Sequence, residues 1–83
     1  MKVLFFARLR EALGSESLTL PAGVAPDTVG ELRNWLQREA PPALAEAMAG
    51  QNVFCAVNQQ VADASQRLSE DDEIAFFPPV TGG

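Results

Sequence analysis

The last seven residues hold the pattern most specific for chemistry. Two prolines, Pro78 and Pro79, follow an apolar segment, and two glycines, Gly82 and Gly83, end the sequence. Because proline has no N–H to give to a neighbouring strand, the pair ends sheet pairing and favours an extended exit from the domain. Residues 80–83 then reach at most about 13 Å. Since glycine has no Cβ, a narrow channel in another protein can admit this end, which predicts a carboxylate that reacts elsewhere.

The α-carboxylate of Gly83 is the group that we expect to react, with Val80, Thr81 and Gly82 threading it into the channel. A carboxylate at neutral pH is a poor electrophile and must be activated, most simply as an acyl-adenylate. The sequence has no Walker-type phosphate loop and no histidine to act as a base at pH 7. We therefore expect an ATP-using partner to activate Gly83, and no cofactor to be bound stably by this chain.

Reactive side chains are scarce in the 83 residues. There is no histidine and no tyrosine, one cysteine (Cys55) and one lysine (Lys2). These counts exclude Ser/His/Asp and Cys/His nucleophilic sites, the usual zinc ligand sets and a disulfide within the chain. We expect the chain not to be an enzyme on its own and to hold no metal.

The charge balance disfavours two classes of partner. Eleven acidic residues against six basic ones give a net charge of −5, and the arginines are scattered. Affinity for nucleic acids and anionic membranes rests on clustered Lys and Arg, so we expect neither partner. Residues 3–7 form an apolar run shorter than the ~7–15 residues of a signal peptide core. With a single cysteine, this predicts a cytoplasmic protein whose partners are basic proteins.

Apolar periodicity predicts one α+β domain in which a single main helix covers one face of a mixed sheet of about five strands. The first two strands are expected to pair as an antiparallel hairpin with a long loop. Strands are predicted over residues 2–9, 17–20, 53–57, 60–62 and 74–77, with a short helical segment over residues 10–14 and a short helix or turn over residues 43–49.

The main helix has the clearest local signals. Thr28 and Glu31 form a capping box, in which each side chain satisfies a backbone N–H at the helix start. Proline at positions 41 and 42 ends the helix near Ala40. An apolar stripe that shares one helix face lies between them: Val29, Leu32, Trp35 and Leu36.

Paired aromatic residues occupy the first and last strands, as Phe5 with Phe6 and Phe76 with Phe77. Neighbouring residues on a strand point to opposite faces, so one Phe of each pair must leave the face that the helix covers. These rings would form an apolar patch suited to a partner surface. The alternative is that segment 43–49 or a loop covers them.

Three stretches carry a resemblance to a known family: residues 2–7 with Arg10 and Glu11 after them, residues 56–59, and residues 72–83. In these stretches the chain resembles the small sulfur-carrying subunit of molybdopterin synthase, the MoaD family, and the register holds over nearly the whole chain. One departure is Asp71, which stands where the family usually has glycine before the last strand.

The resemblance implies a ubiquitin-like β-grasp fold, with the domain over residues 1–79 and a flexible extended tail over residues 80–83. It also implies a mechanism. An E1-like (MoeB-like) enzyme would adenylate Gly83, a sulfurtransferase would supply sulfur, and the resulting thiocarboxylate would donate it to a cyclic pyranopterin precursor.

The partner implied for that last step is the large (MoaE-like) subunit of molybdopterin synthase, in a heterotetramer of two copies of each chain. Carried over by position, the partner-facing apolar surface of the family falls on Phe6, Val61 and Phe77. Arg10 matches a basic position in the N-terminal motif and is assigned a contact role by resemblance alone.

Two other function classes stay open. One is a sulfur carrier for another pathway, such as thiamin thiazole synthesis. The other is a ubiquitin-like modifier that forms isopeptide bonds to lysine, or an interaction domain whose C-terminus is inert. Cys55 is expected to pack in the core rather than to carry sulfur, and the acidic residues 70–73 to form a solvated turn rather than a cation site.

Overall fold

The computed structural model describes residues 1–50 and 52–79. Its strands are β1 (Lys2–Phe5), β2 (Ser17–Thr19), β3 (Phe54–Val57), β4 (Gln60–Ala62) and β5 (Ile74–Phe77). Its helices are α1 (Arg8–Leu13), α2 (Val29–Glu39) and α3 (Pro42–Gly50). The predicted tail, residues 80–83, lies outside the described residues, so the domain boundary after residue 79 stays a prediction.

The strands form one sheet in the order β2-β1-β5-β3-β4. β1 and β5 pair in parallel, while the pairs β1·β2, β3·β5 and β3·β4 are antiparallel. The mixed five-strand sheet and the antiparallel first hairpin are therefore confirmed. β5, the last strand of the described residues, lies at the centre of the sheet, so Pro78 and Pro79 follow its middle strand.

The core lies between one face of the sheet and the helices. Every second side chain of the two parallel strands points into the core and is fully or almost fully buried: Val3, Phe5, Ile74 and Phe76. The helical side contributes Leu9, Val29, Leu32, Leu36, Leu44 and Met48. Trp35 packs against this core while staying half-buried. Burial of these side chains is the main term that stabilises the domain.

The start of α2 confirms half of the predicted capping box. The Thr28 hydroxyl accepts the Glu31 backbone N–H at 3.2 Å, but the Glu31 carboxylate lies 3.4 Å from that hydroxyl and does not reach back to a backbone N–H. The free N–H groups of Val29 and Gly30 donate instead to carbonyls of the 63–67 loop, at 3.0 and 2.9 Å. The loop thus satisfies two further N–H groups of the first helical turn.

Strand β1 is shorter than predicted, because the strand predicted over residues 2–9 ends at Phe5. Ala7 adopts φ 54° and ψ −131°, which turns the chain into α1 at Arg8. Leu9 is fully buried, but as a helix residue in the core. An apolar run of this length does not by itself distinguish a strand from a strand followed by a buried helical turn.

Helix α3 is a full nine-residue helix rather than a turn. Leu44 and Met48 lie four residues apart, so both face the core. The helix packs against α1 and α2. It therefore covers the same face of the sheet as α2 and leaves the opposite face open.

Candidate functional site

The face of the sheet opposite the helices carries exposed aromatic and branched side chains. Phe6 is 47% exposed, Phe54 is 42% exposed and Val61 is 71% exposed. Phe77 is half-buried on the same face, since its neighbour Phe76 points into the core. The helical segment 43–49 does not cover these residues, so the prediction of an uncovered apolar surface is confirmed.

Three of these rings gather where β5 ends. Phe54 and Phe77 are register partners across β3 and β5, and their rings stack with centroids 5.8 Å apart at an interplanar angle of 29°. On the other side of β5, the Phe6 N–H donates to the Phe76 carbonyl at 3.1 Å. We call Phe6, Phe54 and Phe77 the aromatic patch. It surrounds the last residues of the strand that leads into Pro78 and Pro79.

Val61 lies on the same open face but farther from the end of β5. It is the register partner of Ala56, two residues along β3 from Phe54. β4 is an edge strand, which explains the high exposure of Val61. Val61 therefore extends the apolar surface sideways from the aromatic patch.

Arg10 lies outside the sheet, on α1, where its side chain is exposed. It lines a shallow hollow with Glu11, Gly14 and Glu16, and α1 packs against α3 on the helical side of the domain. The structure thus groups Phe6 and Phe77, brings Val61 onto the same face, and leaves Arg10 apart from them. A contact role for Arg10 stays a prediction.

On the face of the sheet that the helices cover, an arginine guanidinium lies directly behind the aromatic patch. Arg33, on α2, donates from Nη2 to the Val53 carbonyl, and its Cζ lies 5.4 Å from the centroid of the Phe76 ring. Phe76 also stacks on Phe5, with centroids 5.8 Å apart. The residues just before Phe54 and Phe77 are therefore both held by the same guanidinium.

Cys55 is fully buried on this covered face. Burial raises the pKa of its thiol to about 11, and the nearby Arg33 opposes that rise only in part. The thiol is protonated at neutral pH and is therefore a poor nucleophile. This placement agrees with the expected packing role.

The acidic residues before β5 form a hydrogen-bonded turn. Asp72 accepts from Asn58 Nδ2 at 2.9 Å and from the Ser69 N–H at 2.7 Å, while the Glu73 N–H donates to Asn58 Oδ1 at 2.9 Å. These bonds, that from Asn58 foremost, lower the pKa of Asp72 below its usual value. Within residues 1–50 and 52–79, no group of acidic or cysteine side chains is arranged to hold a metal ion.

Comparison with known proteins assigns this domain to a family. A family model described as the ThiS family matches residues 3–83. The chain belongs to the ThiS family. Two relatives of this ThiS-family chain are molybdopterin synthase sulfur carrier subunits, from Escherichia coli (39% identical) and Haemophilus influenzae (36% identical). Each alignment covers 100% of this chain and 99% of the relative.

Solved structures confirm the ubiquitin-like β-grasp fold. Small archaeal modifier protein 1 from Haloferax volcanii superposes with a TM-score of 0.78 at 30% identity, covering 99% of this chain and 97% of that one. A chain from the protein–protein complex of subunits 1 and 2 of the molybdopterin-converting factor from Helicobacter pylori superposes with a TM-score of 0.68 at 28% identity. That match covers 99% of this chain and 96% of the other.

Sequence reasoning missed Phe54 as a member of the site. The signal was available, because Val53, Cys55 and Val57 share the inner face and the alternation of a strand then places Phe54 outside. Its stacking on Phe77, however, depends on the register between β3 and β5. The predicted reactive end, Val80, Thr81, Gly82 and Gly83, lies outside the described residues. In the described parts of the chain, no helix has the length and apolarity needed to cross a membrane.

Proposed function

We propose that this ThiS-family chain is the sulfur carrier subunit of a molybdopterin synthase. Gly83 would carry sulfur as a C-terminal thiocarboxylate and donate it to a pyranopterin precursor in the active site of a large (MoaE-like) subunit. The observation that carries the proposal is the match over 100% of the chain to carrier subunits of that enzyme. The chain contributes the reacting carboxylate and the docking surface, and the partners perform the catalysis.

The chemistry has two stages on Gly83. An E1-like (MoeB-like) partner uses ATP, so that a carboxylate oxygen bonds to the α-phosphorus and pyrophosphate leaves. Sulfide-level sulfur then attacks the acyl carbon, and AMP leaves to give the thiocarboxylate. In the synthase, the sulfur passes to the precursor and water restores the carboxylate. ATP is consumed by the partner, and this chain holds no cofactor of its own.

The aromatic patch supports docking to the large subunit. Exposed Phe rings next to the end of β5 bury apolar area on binding, while Pro78 and Pro79 start an extended segment toward Gly83. Val61 adds apolar area on the same face, and Arg10 is proposed as a peripheral contact. The net charge of −5 favours basic partner surfaces over nucleic acids and membranes. We also propose that the assembly is cytoplasmic and contains two copies of each subunit, as the family resemblance implies.

A second candidate is a ubiquitin-like protein modifier. It is favoured by the likeness to small archaeal modifier protein 1, at 30% identity and a TM-score of 0.78. Both functions begin with adenylation of Gly83, so they differ only in what attacks the acyl-adenylate. Sulfur produces a carrier, whereas the ε-amino group of a lysine produces a conjugate.

Mass spectrometry of the protein purified from its native host separates the two functions. The sulfur carrier predicts an intact chain in which one oxygen at Gly83 is replaced by sulfur, lost when the gene for the adenylating partner is deleted. Lysine-linked conjugates without the thiocarboxylate would overturn the proposal in favour of the modifier. An unmodified C-terminus in cells that are making molybdopterin would contradict both functions.

A further inference from the structure

We infer that Arg33 and Phe54 clamp the last residues of β5 from opposite faces of the sheet and thereby fix the direction in which the chain leaves toward Gly83. The inference rests on the proposed function, because a carrier must present its C-terminus in one orientation to react. Both residues act through Val53, Phe76 and Phe77, so the inference assigns them as positioning residues.

The inner half of the clamp is Arg33. Its guanidinium donates to the Val53 carbonyl and lies over the Phe76 ring, with 5.4 Å from Cζ to the centroid. A planar guanidinium can do both at once, since it stacks by its face while its edge donates hydrogen bonds. One side chain thus ties α2 to the start of β3 and to the end of β5.

The outer half is the Phe54 ring, stacked on Phe77 at 5.8 Å between centroids. Phe54 is 42% exposed, so the burial of its own surface is incomplete. Offset aromatic pairs contribute about 0.5–1.5 kcal/mol beyond area burial. The ring therefore restrains the Phe77 side chain on the face that Arg33 does not reach.

The register makes the two halves act at the same point. Phe54 pairs with Phe77 and Cys55 with Phe76, and Val53 comes directly before Phe54. Arg33 and Phe54 therefore hold consecutive residues of the same two strands, from opposite sides.

The sequence after β5 limits how far backbone hydrogen bonds can orient the chain where it leaves the sheet. Pro78 and Pro79 have no N–H, so neither can donate to a neighbouring strand. On the β1 side, the bond from the Phe6 N–H to the Phe76 carbonyl lies at the end of the described ladder. Side chains that contact residues 76 and 77 therefore add to the few backbone contacts that orient the chain beyond Phe77.

The test uses the full chain, charged with sulfur at Gly83, and the purified large subunit with its precursor. Arg33→Lys keeps the charge but cannot stack and donate in the same way, and Arg33 is on the covered face, away from the docking surface. We expect single-turnover sulfur transfer at saturating large subunit to fall about tenfold, since small misplacements of reacting groups are costly, while Kd changes less than twofold. Phe54→Leu should lower the saturated rate similarly and also raise Kd.

A double-variant comparison tests whether the two residues act together. If both fix one orientation, the double variant Arg33→Lys with Phe54→Leu should lose about as much rate as the worse single variant, rather than the product of the two losses.

Val61→Ala is the control on the open face of the sheet, where Phe54 also lies. It should raise Kd without lowering the saturated rate, because Val61 lies away from the end of β5.

Amide hydrogen exchange provides a readout that needs no partner. In Arg33→Lys, exchange of the Phe6 amide, bonded to Phe76, should accelerate about tenfold. The Leu20 amide, bonded to Met1 at the other side of β1, should be unchanged.

Two results would overturn the clamp: saturated rates that stay unchanged in both variants, whether or not Kd rises, or equal acceleration of exchange at the Phe6 and Leu20 amides. If the wild-type chain cannot be loaded with sulfur at Gly83, the proposed function is overturned instead. In that case, selective acceleration at Phe6 still supports the clamp.

Discussion

The Phe54 ring stacks on Phe77 across the β3·β5 ladder, with 5.8 Å between ring centroids, and both rings lie on the face of the sheet that the helices leave open. Phe77 is followed directly by the two prolines that lead to Gly83. The apolar surface suited to a partner therefore lies next to the segment that leads to the proposed reactive group. Docking at this surface would place the C-terminus close to the partner.

Changes at Gly83 should separate function from folding. Deleting Gly83, or adding one residue after it, should abolish sulfur transfer because the reacting carboxylate no longer reaches its place. The thermal midpoint should stay unchanged, since the core residues of the described structure lie between Val3 and Phe76. Circular dichroism melting together with a molybdopterin synthesis assay checks both. If either variant still supports molybdopterin synthesis, the carrier proposal is contradicted.

Truncation of Phe6 should weaken docking more than folding. Phe6 is 47% exposed, so Phe6→Ala removes partner contact without opening a core cavity. Loss of a central aromatic contact typically costs about 1–2 kcal/mol, which is roughly a five- to thirtyfold rise in Kd. Calorimetry with the large subunit measures it. Thr19→Ala, an exposed position that pairs with Lys2 at the opposite end of β1 from Phe6, serves as the control and should leave Kd unchanged.

The turn before β5 should confer acid sensitivity. Hydrogen bonds from Asn58 and Ser69 lower the pKa of Asp72 below its ordinary value of 3.8. Because the folded-state pKa is below the unfolded one, this stability is present above the unfolded pKa and lost as pH falls through the folded pKa. Asp72→Asn should therefore lower the urea midpoint at pH 7, and its effect should shrink as the pH falls below 3.8.

The neighbouring Asp71→Asn is the matched control, since it removes the same charge one residue away. If both variants shift the pH 7 midpoint equally, net charge rather than the Asn58 and Ser69 hydrogen bonds accounts for the effect.

Ala7 should be a site where glycine stabilises the fold. Its φ of 54° with ψ −131° suits glycine and is strained for a residue with a Cβ. Ala7→Gly should raise the free energy of unfolding by about 1 kcal/mol, measured by urea denaturation. Ala12→Gly within α1 should have the opposite sign, because glycine is unfavourable inside a helix. A destabilising Ala7→Gly would contradict the strain.

Cys55 should be inert while the chain is folded. With the pKa of the thiol raised to about 11, alkylation by iodoacetamide at pH 8 should be slow in buffer and fast in urea. Cys55→Ala should still accept and transfer sulfur. Loss of transfer by a folded Cys55→Ala variant would reinstate Cys55 as a second carrier.

Local signals in the sequence predicted most elements of this fold. The Thr28 cap and the stripe from Val29 to Leu36 specify α2, because both depend only on neighbours within two turns. Asn58 and Gln59 form the predicted turn, with φ of 52° and 68°. The end of β1 at Phe5 was not predictable in this way, because a buried leucine at position 9 is compatible with either a strand or a helix.

The sequence by itself determined which end we propose to react, from Pro78, Pro79 and the two glycines after them, and the rule that one Phe of each pair must leave the core. These follow from single residues and from the two-residue period of a strand. Only the tertiary structure decided that Phe54 meets Phe77 and that Arg33 lies behind them. Those contacts join residues more than twenty positions apart, through the register of β3 with β5 and the packing of α2 on the sheet.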